Sequence, residues 1–379
     1  MKNQFIILIL LPICVAAQNP HFPKLRISGP CNDEFINNYK GKWLIPEPFS
    51  ITDYHDEVMK RFNAIQDLVH QTYPQPMGAD VSRSGSFAKT SFADEVKYIV
   101  VRDRDLEETK TRINPVYRLS YGCSLFPWSC TDNPNEISNG YPEIGGLGLK
   151  VDANWLYILN GTVMGGSNEW TIDGRPIKTK MFTIGKWRGY DMLSDVPLNF
   201  ANQSSSRFVL ISRDGMLPYI PVTRKQYLDR ATQYTMRFYD DLNKAIQQNN
   251  DALPAQVRSP KEELDDQKAQ NTKAKNAALK KLQDELESTT KKGLLDSTAV
   301  VRVDALLMNE GPVFLPEPQG GTMLVTENPN YFRKDLPKYV PQFFIMELIG
   351  KDVKDWRMNF KKIIEENFPI EKLKAMIDK

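Results

Sequence analysis

The hydrophobic pattern begins at once. Met1, Lys2 and Asn3 lead into the apolar run Phe5-Ile6-Ile7-Leu8-Ile9-Leu10-Leu11, which continues through Pro12-Ile13-Cys14-Val15 to Ala16-Ala17. A short positive start, an apolar stretch and small residues at a cut point make a secretory signal peptide. The run falls short of the roughly 20 apolar residues that a membrane-spanning helix needs. Residues 1–17 are therefore expected to be removed, leaving Gln18 as the mature N-terminus. Cys14 raises lipid attachment as an alternative, but Ile13 before it is larger than that processing favours, so soluble export is the preferred reading.

Residues 18–49 are rich in Pro, Gly and Asn and read as an extended lead-in. A helix follows, capped by Thr52, with Val58, Phe62, Ile65, Leu68 and Val69 on one face and Tyr73-Pro74-Gln75-Pro76-Met77-Gly78 as its stop. The period then changes to two. Strands are expected at 96–101, 116–121, 155–159, 180–184 and 207–211, separated by turn signals such as Asn160-Gly161 and Asp173-Gly174. No helix-length pattern lies between them, which predicts a curled antiparallel sheet and an α+β domain over 50–222. Asp214-Gly215 reads as a hairpin turn into a further strand at 219–222.

Thr223 then caps a long helix, and Ser259-Pro260 starts another, so 223–292 is expected to form a helical hairpin. Its base would be zipped by Leu228, Phe238 and Leu242 opposite Leu279, Leu282 and Leu286, while its polar outer half would project. Strand patterns return at 299–303, 322–325 and 343–348 before a final amphipathic helix, so 293–379 is expected to be a small C-terminal α+β unit.

Composition narrows the function classes. With 49 basic and 47 acidic residues the chain carries +2, so it lacks the basic field that nucleic-acid binding requires. No second apolar stretch reaches spanning length in the mature chain. Cys31, Cys123 and Cys130 remain after processing. Export favours a Cys123–Cys130 disulfide closing a short loop, worth about 2–3 kcal/mol, with Cys31 left over; three reduced, buried thiols are the alternative. His21, His55 and His70 are too scattered for a metal site, and no cofactor is expected. Arg83-Ser84-Gly85-Ser86 reads as a turn, not a nucleophile elbow, and Gly145-Gly146-Leu147-Gly148 lacks the setting of a phosphate loop.

Three segments carry a resemblance: Tyr73-Pro74-Gln75-Pro76-Met77-Gly78, the stretch from Arg213-Asp214-Gly215 to Arg224-Lys225, and Asn328-Pro329-Asn330-Tyr331-Phe332 with Leu336-Pro337. Together they resemble uncharacterised exported proteins of Bacteroidetes-type Gram-negative bacteria. The resemblance spans most of the mature chain. It implies a periplasmic or outer-surface address and transfers no activity.

The remaining candidate chemistry is aromatic and acidic. Trp170, Trp187 and Tyr190, with Glu169 and Asp191, are the expected ligand-facing residues, since aromatic rings stack on sugars and paired acids do acid/base work. The preferred function is a non-catalytic binding or scaffolding protein of the cell envelope, its partner an envelope protein or a glycan. The alternative is a hydrolase of envelope or extracellular glycans using paired carboxylates. Mass spectrometry of the protein from its own host is expected to read Gln18 as the N-terminus; an intact Met1 would overturn export.

Overall fold

The computed structural model describes residues 24–44, 54–88, 96–102, 105–112, 117–139, 148–156, 158–159, 161–162, 170–196, 206–302, 313–349 and 356–379. The expected signal peptide and Glu169 lie outside the described residues. The helices are α1 (Asp33–Asn38), α2 (His55–Thr72), α3 (Arg224–Ala252), α4 (Lys261–Lys291), α5 (Trp356–Asn367) and α6 (Ile370–Lys374). The first strands are β1 (Lys24–Arg26), β2 (Ala79–Ala88), β3 (Val96–Arg102), β4 (Asp105–Arg112), β5 (Arg118–Cys130) and β6 (Glu136–Asn139). Next come β7 (Gly148–Ala153), β8 (Gly161–Thr162), β9 (Thr171–Ile172), β10 (Arg175–Pro176), β11 (Lys178–Thr179) and β12 (Phe182–Trp187). The last are β13 (Tyr190–Ser194), β14 (Ser206–Ile211), β15 (Tyr219–Pro221), β16 (Val300–Val301), β17 (Thr322–Glu327) and β18 (Phe344–Ile349).

The fold is α+β with antiparallel sheets. Among the described residues the main sheet has nine strands in the order β1-β6-β5-β7-β18-β14-β13-β12, with β2 added on β5. The expected curl is absent: this path runs from β1 to β12 without closing on itself. A five-stranded sheet of β15-β17-β11-β8, with β16 on β17, forms a second layer.

Two-residue alternation sorts side chains between the layers. On one face of the main sheet, Leu119, Tyr121, Cys123 and Leu125 of β5 join Leu149 and Val151 of β7 in a buried cluster. The apolar stripe of α2 packs there, with Phe360 and Ile364 of α5 and Leu373 of α6. On the other face, Leu193, Phe208, Leu210 and Ile345 meet Tyr219 and Val325 from the second sheet. Leu324, one residue along β17, points the opposite way into a third cluster with Val222, Tyr227, Leu228, Ala231 and Leu282. The layers are thus helices, main sheet, small sheet, and the base of α3 and α4.

Several expectations change. The described residues of the stretch 155–159 form no strand: Asn154, in the left-handed region at φ 61, ends β7, and Leu156, Ile158 and Leu159 drop into the core between the sheets. Asp214-Gly215 does not close a hairpin, because β14 stays in the main sheet while β15 pairs with β17 in the second. Nor is 293–379 a separate unit. β18 lies in the middle of the main sheet, bonded to β7 on one side and β14 on the other. The α2 helix starts at His55, after Tyr54, and Thr52 lies outside the described residues.

Thr223 does cap α3, with Gln226 completing a reciprocal capping box. The α3 and α4 helices run antiparallel and share polar cross-links: Lys275 to Asp240 at 2.7 Å, Asn271 to Asn243 at 2.9 Å, and Lys268 to Gln247 at 2.5 Å. Phe238 does not zip their base; it is 44% exposed and stacks on Tyr234.

The disulfide also differs from expectation. Cys31 is bonded to Cys130, and Cys123 is the buried free thiol. Cys123 and Cys130 lie on one extended strand, where about 3.3 Å per residue keeps them far beyond bridging distance. The bond found closes a loop with a sequence separation of 99 and ties the lead-in to the sheet. Peptide mapping without reductant is expected to recover Cys31 joined to Cys130, with Cys123 alkylated only after unfolding. Cys130→Ala should lower stability by about 2–4 kcal/mol. A Cys123–Cys130 peptide would overturn this connectivity.

Candidate functional site: a serine and glycine face on the main sheet

On the face turned away from α2, three rows cross the strands in register. Ser86, Ser120, Asp152 and Ile345 are neighbours across β2, β5, β7 and β18. The next row is Ser84, Gly122, Lys150 and Glu347, and the third is Ser82, Ser124, Gly148 and Ile349. Pleated geometry sets the columns about 4.8 Å apart and the rows about 6.7 Å apart. Ser84 and Ser86 are exposed, Ser82, Gly122, Ser124 and Lys150 are half-buried, and Ser120 is buried. The result is a field of small hydroxyl-bearing residues in which Ser120 is engaged by Asp152 and Ser84 lies 3.5 Å from the Gly122 carbonyl oxygen.

Its two glycines have different causes. A Cβ on Gly148 would sit 2.4 Å from the Cys123 carbonyl oxygen, so the neighbouring backbone excludes any side chain. A Cβ on Gly122 would meet only the Ser84 hydroxyl, at 2.9 Å, and that group can rotate away. Packing does not demand Gly122; its effect is to leave the centre of the field open.

A charged cluster borders the field. Asp152 is fully buried and lies 3.0 Å from the Lys150 ammonium and 3.9 Å from the Arg118 guanidinium. Burial pushes its carboxyl above the usual carboxylate range, against the pull of Lys150, Ser120 and Arg118. Both cations lie over the Trp155 ring, the ammonium at 4.4 Å. The bend at Asn154 holds Trp155 there: its amide donates to the carbonyls of Tyr117 and Val340, both at 3.0 Å, and accepts from the Gln342 N–H at 2.7 Å.

The residues expected from the sequence do not converge on one site. Trp170 is 2% exposed and stacks on Tyr227 with ring centroids 5.8 Å apart, inside the core at the base of α3. The Trp187 indole donates to the Glu365 carbonyl at 2.8 Å, and the Tyr190 hydroxyl bonds Glu371 at 2.9 Å, both toward α5 and α6. Asp191 pairs with Lys186 at 3.5 Å on the other face of β13. Arg83-Ser84-Gly85-Ser86 is the interior of β2, not a turn. The signal overlooked was the alternation Ser82-x-Ser84-x-Ser86 facing Ser120-x-Gly122-x-Ser124. Among the described residues no group of His, Cys, Asp or Glu is placed to hold a metal ion.

No family model, curated protein or solved structure matches this chain.

One further titratable group is enclosed. Lys180, 5% exposed, donates to the Thr183 hydroxyl at 2.8 Å and the Met181 carbonyl at 3.3 Å. Burial lowers its pKa, opposed by Glu317 and Asp191. The unfolded chain therefore holds this proton to higher pH than the folded one, and stability rises as pH increases from the lowered value toward about 10.4. Replacing a buried charge with an apolar side chain of similar volume is often neutral or stabilising. Lys180→Met is thus expected to match or exceed the natural protein at pH 7 by up to about 2 kcal/mol. Urea unfolding should show that difference shrinking toward pH 10; a constant difference would overturn the assignment.

Proposed function

We propose that this is an exported, non-catalytic binding protein of the cell envelope, and that it holds a neutral glycan chain against the serine and glycine face. The observation that carries this reading is the register of Ser82, Ser84 and Ser86 with Ser120, Gly122 and Ser124 on one sheet face, where Ser84 and Ser86 are exposed. A polyhydroxyl chain presents donors and acceptors in pairs, and a serine field answers both without displacing bulky side chains. The bordering charges balance, with Arg118 and Lys150 against Asp152 and Glu347, which favours a neutral ligand over an acidic one. Export is supported by the N-terminal apolar run and fits the Cys31–Cys130 disulfide. The α3–α4 pair completes the reading as a helical hairpin reaching from the body, with Leu253 and Val257 exposed between its helices.

A hydrolase would need two carboxylates flanking the scissile bond. Asp152 beside the field is sealed beneath the Lys150 and Arg118 side chains with no exposed surface. That favours capture over cleavage.

The test is a titration of the mature protein with soluble neutral glycans: β-glucan, chitin and peptidoglycan-derived oligosaccharides. At least one is expected to bind. Gly122→Trp should weaken that binding about tenfold or more, a change of about 1.4 kcal/mol, without lowering the melting temperature. A panel that fails throughout, or a Gly122→Trp variant that binds like the natural protein, would sink the proposal.

A further inference from the structure

A second opening lies on the opposite side of the main sheet, where the Arg213-Asp214-Gly215 turn faces α6. It is a cleft of about 450 Å³ whose charged lining is Arg213, Asp214, Glu371, Lys374 and Asp378. Its charges are not equivalent. Arg213 and Asp378 form a two-pronged pair, Nε to Oδ2 at 2.7 Å and Nη2 to Oδ1 at 2.8 Å, with side chains 18% and 20% exposed. The same guanidinium donates to the Tyr331 carbonyl and, at 2.7 Å, to Gln342 Oε1, so it is built into the framework.

Lys374 and Asp214 are paired in another way. The Lys374 side chain is 23% exposed and its ammonium lies 5.7 Å from the centre of the Tyr190 ring, so the cation is anchored. Asp214 is 91% exposed, rides on a turn tip, and precedes Gly215 in the left-handed region at φ 69. Among the described residues its side chain bonds Lys374. Exposed ion pairs of this kind contribute little to stability. An anchored cation is therefore covered by an anion that can swing away at small cost. One turn earlier on α6, Glu371 accepts a hydrogen bond from Tyr190 at 2.9 Å and also attracts the Lys374 ammonium.

We propose that this cleft is a binding site for a free α-amino acid, whose carboxylate takes the place on Lys374 that Asp214 holds and whose ammonium meets Glu371. Residues three apart on a helix stand about 5–6 Å apart at Cβ, so Glu371 and Lys374 attract each other and an α-amino acid placed between them meets an opposite charge at each end. The nearby carboxylates of Glu371 and Asp378 oppose a multiply charged anion such as phosphate, and the cleft's combined signs suit a zwitterion. The site is independent of the glycan reading and lies on the other face of the sheet.

The experiment titrates the mature protein with L-alanine and follows the backbone amide resonances of Gly215 and Ala375, with acetate, ethylammonium and inorganic phosphate as comparators. Saturable shifts are expected with L-alanine, weaker ones with acetate or ethylammonium, and none with phosphate. Asp214→Ala removes the internal competitor. If Asp214 covers Lys374 nine-tenths of the time, affinity should rise about tenfold. Lys374→Met should lose the response, and Glu371→Gln should erase the preference for L-alanine over acetate. The proposal is overturned if Asp214→Ala binds no more tightly than the natural protein, if Lys374→Met responds as before, or if neither the natural protein nor Asp214→Ala gives a saturable shift. Phosphate or acetate binding as tightly as L-alanine would reduce the site to a plain anion site and would also overturn it.

Discussion

The molecule depends on one strand that arrives late in the chain. β18 is bonded to β7 over six register pairs and to β14 over six more, so it joins the half-sheet of β1, β2, β5, β6 and β7 to the half-sheet of β12, β13 and β14. Phe344, Ile345 and Met346 are all fully buried, yet they alternate between faces, so this short segment supplies both the helix-side core and the core between the sheets. Until it docks, neither half-sheet has its inner edge paired, and unpaired backbone N–H and C=O groups are costly once buried. Contacts of such long sequence separation are entropically slow to form. The Cys31–Cys130 bond restrains only the N-terminal half and does nothing for this junction.

What holds β18 in register at its entry is polar. Gln342, fully buried just before the strand, accepts from Arg213 and from the Arg333 N–H, while its own N–H donates to Asn154. Tyr331, also fully buried, donates its hydroxyl to the Gln342 carbonyl at 2.6 Å. Asn154 adopts its left-handed conformation in the same network, a geometry that asparagine tolerates better than most residues. The C-terminus then returns to the same place: the Asp378 N–H donates to the Pro341 carbonyl, and Arg61 of α2 donates to the Lys379 carbonyl. A network satisfied at each of these points is specific about register, because a slip of one residue would strand several buried polar groups at once.

This logic explains what the sequence disclosed and what it hid. The α2 stripe and the Thr223 cap were legible because helical period and capping are local. The apolar run at 343–348 signalled a strand, but nothing local says that it sits between two others from earlier in the chain. The division at 293 failed for that reason. Cysteine pairing failed for another: spacing in sequence says little when both residues lie on one extended strand. The serine field was misread because Ser and Gly are also turn formers, so Arg83-Ser84-Gly85-Ser86 looked like a turn when its neighbours' period was ignored. Trp170 shows the opposite error, an aromatic judged accessible that the base of α3 encloses.

The two halves of the sheet face outside the helix layer have been treated differently, and the difference is informative. Where the second sheet covers it, the face carries Leu193, Phe208, Leu210 and Ile345, as burial requires. Where it is not so covered, solvation alone would be served by Thr, Lys or Glu, and threonine would supply the same hydroxyl with better strand propensity. Instead β2 and β5 carry serines around a glycine whose backbone does not need to be glycine. Glycine within a strand weakens it and gives the sheet nothing to pack. A stability argument therefore predicts the wrong residues at this face. A close-approach argument predicts small side chains, hydroxyls at regular intervals and a bare centre, which is the arrangement found.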